Sequence, residues 1–223
     1  MAAVPDVSTR DRLTAFWPLF GLRLATPRLT LAVLADDDLP DLVPTILGGV
    51  HEPDRMPFSA PWTDAPAEDL ARNSLAHFWT TRGATTPQAW TLHFVVRIDG
   101  AAVGLQDVRG RDFAVTRTVS TGSWLGLAHQ GQGVGTEMRA AVLQFAFDHL
   151  RAVRAESGAF LDNPSSLRVS QKLGYQPNGI DRVVRRGEAA GQQRLVVTPE
   201  TFVRPDWTVS VSGWDACRAL LSA

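Results

Sequence analysis

Cysteine is almost missing from this sequence. Cys217 is the only one in 223 residues, which excludes an internal disulfide and any multi-cysteine metal site and favours a reducing compartment. Lysine is as scarce: among 22 basic residues only Lys172 is a lysine, a bias typical of high-GC genomes. No apolar run reaches the ~18 residues of a membrane span. The opening stretch MAAVPDVSTRDRLTAFWPLF is interrupted by Asp6, Arg10, Asp11 and Arg12 and makes a poor signal peptide. The expectation is a soluble, cytoplasmic chain with no membrane partner. An excess of one charge is also lacking. The 22 basic and 23 acidic residues leave a net charge of −1, so no global field recruits nucleic acid, and direct nucleic-acid binding is not expected. Metal spacing is absent too. His51, His77, His93, His129 and His149 are scattered, without H-x-x-x-H or H-E-x-x-H, and no G-x-S-x-G elbow marks a serine hydrolase.

What is present is enough apolar material, 44% of residues, to build a packed core. No repeat or low-complexity linker divides the chain. It reads as one domain over 1–223, with a core over 22–198 and an extension over 199–223. Alternation around Pro27 predicts strand pairing over 22–34. Acidic first turns followed by apolar residues at helical spacing predict helices over 36–50 and 66–79, with an ordered loop at 51–62 between them. Strand-like runs follow at 89–98, 102–108 and 117–125, the first two joined by a tight Asp99-Gly100 turn. A helix runs from a glycine-rich loop to about residue 150, with Glu137, Gln144, Asp148 and Arg151 on one polar, solvent-facing side. A strand near 153–160 leads to a helix that Asn163 caps, Pro164 opens and Gly174 closes. Strands near 175–185 and 192–198 make a final hairpin. The apolar tail from Trp207 onward either packs down or pairs with another chain, making a homo-oligomer an open expectation. Adjacent strands beside isolated helices give an α/β (α+β) fold, with a mixed, mainly antiparallel sheet and helices on both faces.

The segment WLGLAHQGQGVGTEM joins a strand to a helix through glycines at alternating positions, Gly131, Gly133 and Gly135. Glycine permits positive φ and removes the Cβ that would block close approach. Successive N–H groups at the helix start can then face one anion, with the macrodipole adding attraction. A pyrophosphate suits such a cradle. A P-loop needs Lys and then Ser or Thr after its last glycine, where this chain has Thr136-Glu137. A dinucleotide fingerprint needs a glycine at residue 136 or 138, where Thr136 and Met138 stand. What remains is Q-x-x-G-x-G on Gln130, Gly133 and Gly135, or a glycine turn without a ligand.

Those three residues resemble the acyl-CoA loop of the GNAT acyltransferase superfamily. The later segment FLDNPSSLRVSQKLGYQPNG resembles the N-x-x-S-x-x-V-x-x-K-L-G-[FY] run of RimJ/RimL-like members. Asn163, Ser166, Val169, Lys172, Leu173, Gly174 and Tyr175 fall in register. TPRL, GVHEPDRMPFSAPW, GSWLGL, QGQGVGTEMRAAVLQFAF, DNPSSLRVS and the tail TVSVSGWDACRALL are moreover similar to a mycobacterial GNAT protein that binds succinyl-CoA. The resemblance implies the GNAT fold with splayed central strands, and an N-acyltransferase whose cosubstrate is acyl-CoA, succinyl-CoA favoured over acetyl-CoA.

In that chemistry an amine attacks a thioester directly. Lysine, with a pKa near 10.4, leaves only about one amine in a thousand neutral at pH 7.4, so a base or water chain must take a proton. The resemblance implies that backbone groups of Trp124, Leu125 and Leu127 hold the pantetheine arm. The N–H groups from Gln132 through Gly133, Val134 and Gly135 to Thr136 would hold the pyrophosphate, with Gln130 and Gly131 completing the loop. Ser166 is the proposed thiolate donor, although a serine at N3 also serves simply to solvate a helix turn. Asn163 is a cap, a cofactor contact or both. Lys172 either meets a cofactor phosphate or decorates a helix C-terminus. His51 and Arg55, on location alone, are candidates for the acyl carboxylate, or they tie down their own loop. No general base stands out: Glu137 reads as solvent-facing and Asp162 as an acid at the helix start. The acceptor is an amine of a protein, a peptide or a small molecule, and a non-catalytic acyl-CoA sensor is the reading from another class.

Overall fold

Two dipeptides set the longest hairpins. Asp99-Gly100 and Arg186-Gly187 adopt positive φ at both positions, 49° and 85° in the first, 49° and 83° in the second, the twist that matches a two-residue hairpin. The first joins β3 (Ala89–Ile98) to β4 (Ala101–Arg111), and the second joins β7 (Gln176–Arg185) to β8 (Glu188–Val197). The computed structural model describes residues 8–222, so residues 1–7 of the opening stretch and residue 223 lie outside it.

The other strands are β1 (Arg23–Ala25), β2 (Thr30–Val33), β5 (Thr118–Leu125), β6 (Arg154–Phe160) and β9 (Ser210–Ser212). All nine share one sheet in the order β7-β8-β6-β5-β4-β3-β2-β1-β9. Only β5 and β6 run parallel. The helices are α1 (Thr9–Thr14), α2 (Leu39–Leu47), α3 (Ala67–Gly83), the short α4 (Phe113–Thr116), α5 (Val134–Gln144), α6 (Pro164–Lys172) and α7 (Trp214–Cys217). After Gln144 the α5 run continues as one π-helical turn, Phe145–His149.

Strand alternation divides the core between the two faces of the sheet. Leu92, Phe94 and Val96 of β3 face α5 and the tail, within a large cluster that includes Met138, Phe145, Trp214 and Leu221. Val95 and Leu105 face the opposite way, onto Leu39, Leu42, Leu70 and Phe78 of α2 and α3.

Several expectations change here. Glu137 is not solvent-facing but only 9% exposed. It accepts hydrogen bonds from Thr26 Oγ1 at 2.6 Å, Arg28 N at 3.1 Å and Arg28 Nε at 2.7 Å. Gln144 is buried as well, bonded to Trp207 O and Val209 N. The β1–β2 turn and the tail cover the side of α5 that its own periodicity presents to water. The tail packs down within the chain: β9 pairs with β1, and Trp214, Cys217 and Leu221 are buried. That arrangement accounts for its apolar residues without a second copy. Burial also pushes the Cys217 thiol up to about 11, so it stays protonated at neutral pH. Helix α1 had no counterpart in the periodicity, although Ser8 and Asp11 carry a cap signature: Asp11 N donates to Ser8 Oγ at 3.1 Å.

Gly174 closes α6 as expected, at φ +83°, and an added Cβ would stand 1.9 Å from Thr201 O. Gly174→Ala combines left-handed strain with a backbone clash. It is expected to cost about 2 kcal/mol and to lower the melting temperature by roughly 4–8 °C in a thermal scan.

Candidate active site

The parallel pair stops early. β5 and β6 are paired only from Thr118↔Arg154 to Ser120↔Glu156, although β5 continues to Leu125 and β6 to Phe160. Side chains take over at the fork: Thr121 Oγ1 donates to Glu156 O at 3.4 Å, and Ser157 Oγ to Thr121 O at 3.2 Å. Past them the strands diverge into a cleft of about 1360 Å³. Beyond Ser120 and Glu156 the two strands share no ladder pairing.

The glycine loop stands at the mouth of this cleft. Gly131 and Gly133 have φ of 74° and 82°, which a side chain would oppose, whereas Gly135 keeps an ordinary φ. Among the described residues no acceptor takes the N–H of Gly131, Gln132, Gly133, Val134 or Gly135. The Thr136 N–H turns back to Gly133 O at 3.0 Å, as does that of Glu137 at 3.1 Å. The run of free amides is therefore 131–135, one residue earlier than the expected 132–136, because the N-cap carbonyl recruits Thr136. Val134 contributes only backbone, its side chain being buried. Gln130 has a different occupation: its Nε2 donates to Val50 O at 2.8 Å and Leu125 O at 2.9 Å, pinning loop to strand. Gln132 Nε2 donates to Ala128 O at 2.8 Å. Glu137, through its ion pair with Arg28, also steadies the loop, since Arg28 NH1 donates to Gln132 O at 3.2 Å.

Leu127 departs from its expected part. Its N–H donates to Gly49 O at 3.0 Å and its carbonyl accepts from Gln130 N at 3.2 Å, so it lines the cleft with both backbone groups already engaged. Trp124 and Leu125 sit at the divergent end of β5 on the cleft wall.

Helix α6 forms the facing wall. Asn163 Oδ1 accepts from Ser166 N at 3.1 Å, so its side chain is a cap. The Ser166 hydroxyl lines the cleft with no protein partner among the described residues. Lys172 is exposed on the last turn, on the same wall. On loop 51–62, His51 has both nitrogens engaged, Nδ1 with Glu52 O at 2.8 Å and Nε2 with Thr63 Oγ1 at 2.6 Å. Arg55 is exposed and makes no ion pair among the described residues. The loop is clasped by the β7–β8 hairpin. Arg186 pairs with Asp64 at 2.5 Å, and Arg185 with Asp162 at 2.7 Å, holding both carboxyls below the usual carboxylate range.

The sequence reading missed two buried groups. His93 Nδ1 meets Asp107 Oδ1 at 2.7 Å, and Arg109 donates to Asp107 Oδ2 at 2.5 Å. Burial by itself would raise the Asp107 carboxyl, but the His93 hydrogen bond and the Arg109 charge hold it below its ordinary value. Counting pairs back from the Asp99-Gly100 turn would set His93 against Gln106. A bulge between Val96 and Arg97 shifts the register by one and brings Asp107 opposite. The second group is Arg139, 5% exposed, which donates to Ser170 Oγ at 3.1 Å and Ser123 Oγ at 3.0 Å. It has no carboxylate partner among the described residues, and burial lowers its pKa. A charged residue beside Met138 on the buried side of α5 was the available signal. Five buried side-chain polar atoms lack a partner among the described residues, and only His93 Nε2 and Arg139 Nε belong to cleft-lining residues. No group of three or more His, Cys, Asp or Glu among the described residues is arranged to hold a metal. No described helix is long and apolar enough to cross a membrane.

A sheet forked between parallel strands, with a free-amide loop opening a helix at its mouth, defines the acetyltransferase (GNAT) domain. The model of that family matches residues 28–176, and the chain belongs to it. Among curated proteins, "Probable N-acetyltransferase YjcK" of Bacillus subtilis (strain 168) is 35% identical over 86 residues, 39% of this chain and 45% of that protein. The matched part thus spans under half the length of that relative. Among solved structures, Mycobacterium smegmatis RimJ in complex with CoA-disulfide superposes with a TM-score of 0.68 at 18% identity, covering 89% of this chain and 92% of that one. RimL, a ribosomal L7/L12 alpha-N-protein acetyltransferase in complex with coenzyme A, gives 0.64 at 13% identity, covering 78% and 95%. At these identities the structures establish the shared fold.

Proposed function

We propose that this chain is an acyl-CoA-dependent N-acyltransferase that moves an acyl group, succinyl in preference to acetyl, onto a primary amine by direct attack. The observation that carries the proposal is the run of free amides 131–135 at the head of α5, opening onto a strand gap with unpaired backbone. The amides suit a diphosphate, and Trp124 and Leu125 border the gap where a pantetheine arm would lie as a surrogate strand. Lys172 is in reach of the cleft for a further phosphate. The free hydroxyl of Ser166 suits delivery of a proton to the departing thiolate.

Preference for a dicarboxylic acyl group rests on Arg139 more than on Arg55. An exposed arginine loses little when unpaired, whereas a buried guanidinium without an anion is costly. With both nitrogens occupied, His51 is better suited to shaping its loop. Arg139 binds Ser123 on β5 and, through Ser170, the turn of α6 that carries Ser166. A carboxylate two methylenes beyond a thioester in the fork would complete its donors. The likeness to the RimL structure makes a protein or peptide α-amine the first acceptor to try.

Calorimetry tests the acyl preference. Succinyl-CoA is expected to bind more tightly than acetyl-CoA by about 1.5–3 kcal/mol, the scale of a charged hydrogen bond. Arg139→Met should abolish that difference while leaving acetyl-CoA affinity and the melting temperature nearly unchanged, since it removes a buried unpaired charge. Equal affinities in the wild type would defeat the succinyl preference and leave the acyltransferase reading standing. Tight binding of both with no transfer to any amine would favour the sensor.

A further inference from the structure

Beyond the donor side, the cleft holds a buried imidazole–carboxylate pair that none of the roles above uses. We propose that His93 is the proton acceptor for the incoming amine and that Asp107 is its positioning residue; this rests on the acyltransferase reading.

The geometry begins with register. His93 on β3, Asp107 on β4 and Gly122 on β5 are consecutive cross-strand partners, so they lie in a line on one face of the sheet, the face covered by α3. Gly122 has no side chain. Arg109 NH2 and Asp107 Oδ2 stand 3.3 and 3.6 Å from where a Cβ at Gly122 would be, so the absent side chain lets the Asp107–Arg109 pair lie close against β5 at the fork.

The tautomer follows from the partner. Asp107 is ionised and can only accept, so the proton between them sits on Nδ1, and in the neutral imidazole the lone pair is then on Nε2. Nε2 is buried, belongs to a cleft-lining residue and has no donor among the described residues. An ammonium or a bridging water is the donor it lacks. The charged and titratable groups around the imidazole are few. Asp107 and Arg109 come from β4. From α3 come His77, whose ring centroid is 5.6 Å away, and Arg82, committed to Asp36 and Leu34 O. The β2 side contributes only the apolar Leu34, whose N–H donates to His93 O. Burial first, and then repulsion once His93 is protonated, lower the His77 pKa, so His77 does not compete for the proton.

The step balances. One proton passes from the ammonium to His93 Nε2, and the freed lone pair forms the C–N bond at the thioester carbonyl. The C–S bond breaks with its electrons on sulfur, and the second amine proton travels to that thiolate. His93, now a cation beside Asp107, returns its proton to solvent between turnovers.

The experiment is a pH series of steady-state acyl transfer by the full chain, using succinyl-CoA or acetyl-CoA and a short peptide with a free α-amine. In the wild type kcat/KM should fall on the acid side. His93→Gln should lower kcat by about 100-fold or more, leave CoA affinity and melting unchanged, and replace that acid limb with the one set by the ionisation of the amine alone. Asp107→Asn should keep a limb displaced to lower pH, because the imidazolium has lost its counter-charge. His77→Gln should leave the limb in place. A His93→Gln enzyme with the wild-type limb, or with reduced activity and an unaltered limb, overturns the proposal. Nitrogen NMR of histidine-labelled wild-type protein supplies a readout independent of turnover and of the variant's folding. Added n-butylamine, with or without CoA, should move the His93 Nε2 signal, and an unmoved signal overturns the assignment. Absence of CoA binding would instead count against the acyltransferase reading, which the amine titration does not depend on.

Discussion

Gly133→Val should weaken CoA binding by about 100-fold. Gly133 is the N-cap of α5, at φ +82° and ψ −8°, a conformation that a β-branched residue scarcely enters. Crowding is not the cause, since the nearest atom to an added Cβ, Arg28 NH2, is 3.4 Å away. The strain is in the backbone, about 1–2 kcal/mol, and the loop can relieve it by rotating the peptides that aim the amides of residues 133 and 134. Losing two charge-directed donors at ~1.5 kcal/mol each accounts for the expected factor. The melting temperature should move by only a few degrees because the loop is exposed. Calorimetry with CoA reads the effect directly, and an unchanged Kd would remove the loop from the binding site.

Arg10→Met should be the most destabilising replacement far from the cleft. The Arg10 guanidinium is buried, donating to Phe20 O at 3.1 Å and Val33 O at 2.9 Å and pairing with Asp38. Asp38 also accepts from Ala35 N at 2.8 Å and Arg97 at 3.2 Å. Burial lowers the Arg10 pKa even with Asp38 beside it. Removing one member of a buried pair leaves the other without its counter-charge, a loss of about 3–5 kcal/mol. Arg97 still reaches Asp38, so the lower end, near 3 kcal/mol, is expected, or a fall of roughly 6–12 °C in melting temperature. Catalysis by the folded fraction should be untouched, and a melting temperature within two degrees of wild type would show that the pair contributes little.

Local chemistry made most of this molecule legible. Asp99-Gly100, the Asn163–Pro164 opening of α6 and Gly174 as its end were readable because each rests on one or two residues whose φ or hydrogen bonding decides the outcome. Resemblance to the GNAT family supplied the forked strands, which no periodicity encodes. What escaped depended on distant chain. Glu137 and Gln144 follow a solvent-facing helix pattern, yet the β1–β2 turn and the tail cover them. The strand Ser210–Ser212 is too short to display alternation. The His93–Asp107 pair required a bulge in β4, and a bulge is invisible to a rule that counts residues from the turn. Arg139 depends on Ser170 and Ser123, 31 and 16 residues away in the chain, for its surroundings. At the loop, a single N-cap carbonyl moved the donor set by one residue.

The edge strand β9 has a bearing on how this chain matures. It seals the free side of β1 and follows every other strand in chain order, with Trp214 and Leu221 behind it. While the ribosome is still delivering that segment, the emerging sheet presents a naked rim and an apolar hollow to its surroundings. Vulnerability to misassembly therefore lasts until residues 210–221 have emerged, and trimming or fusing bulky partners close to residue 210 should cost soluble yield sooner than it costs activity.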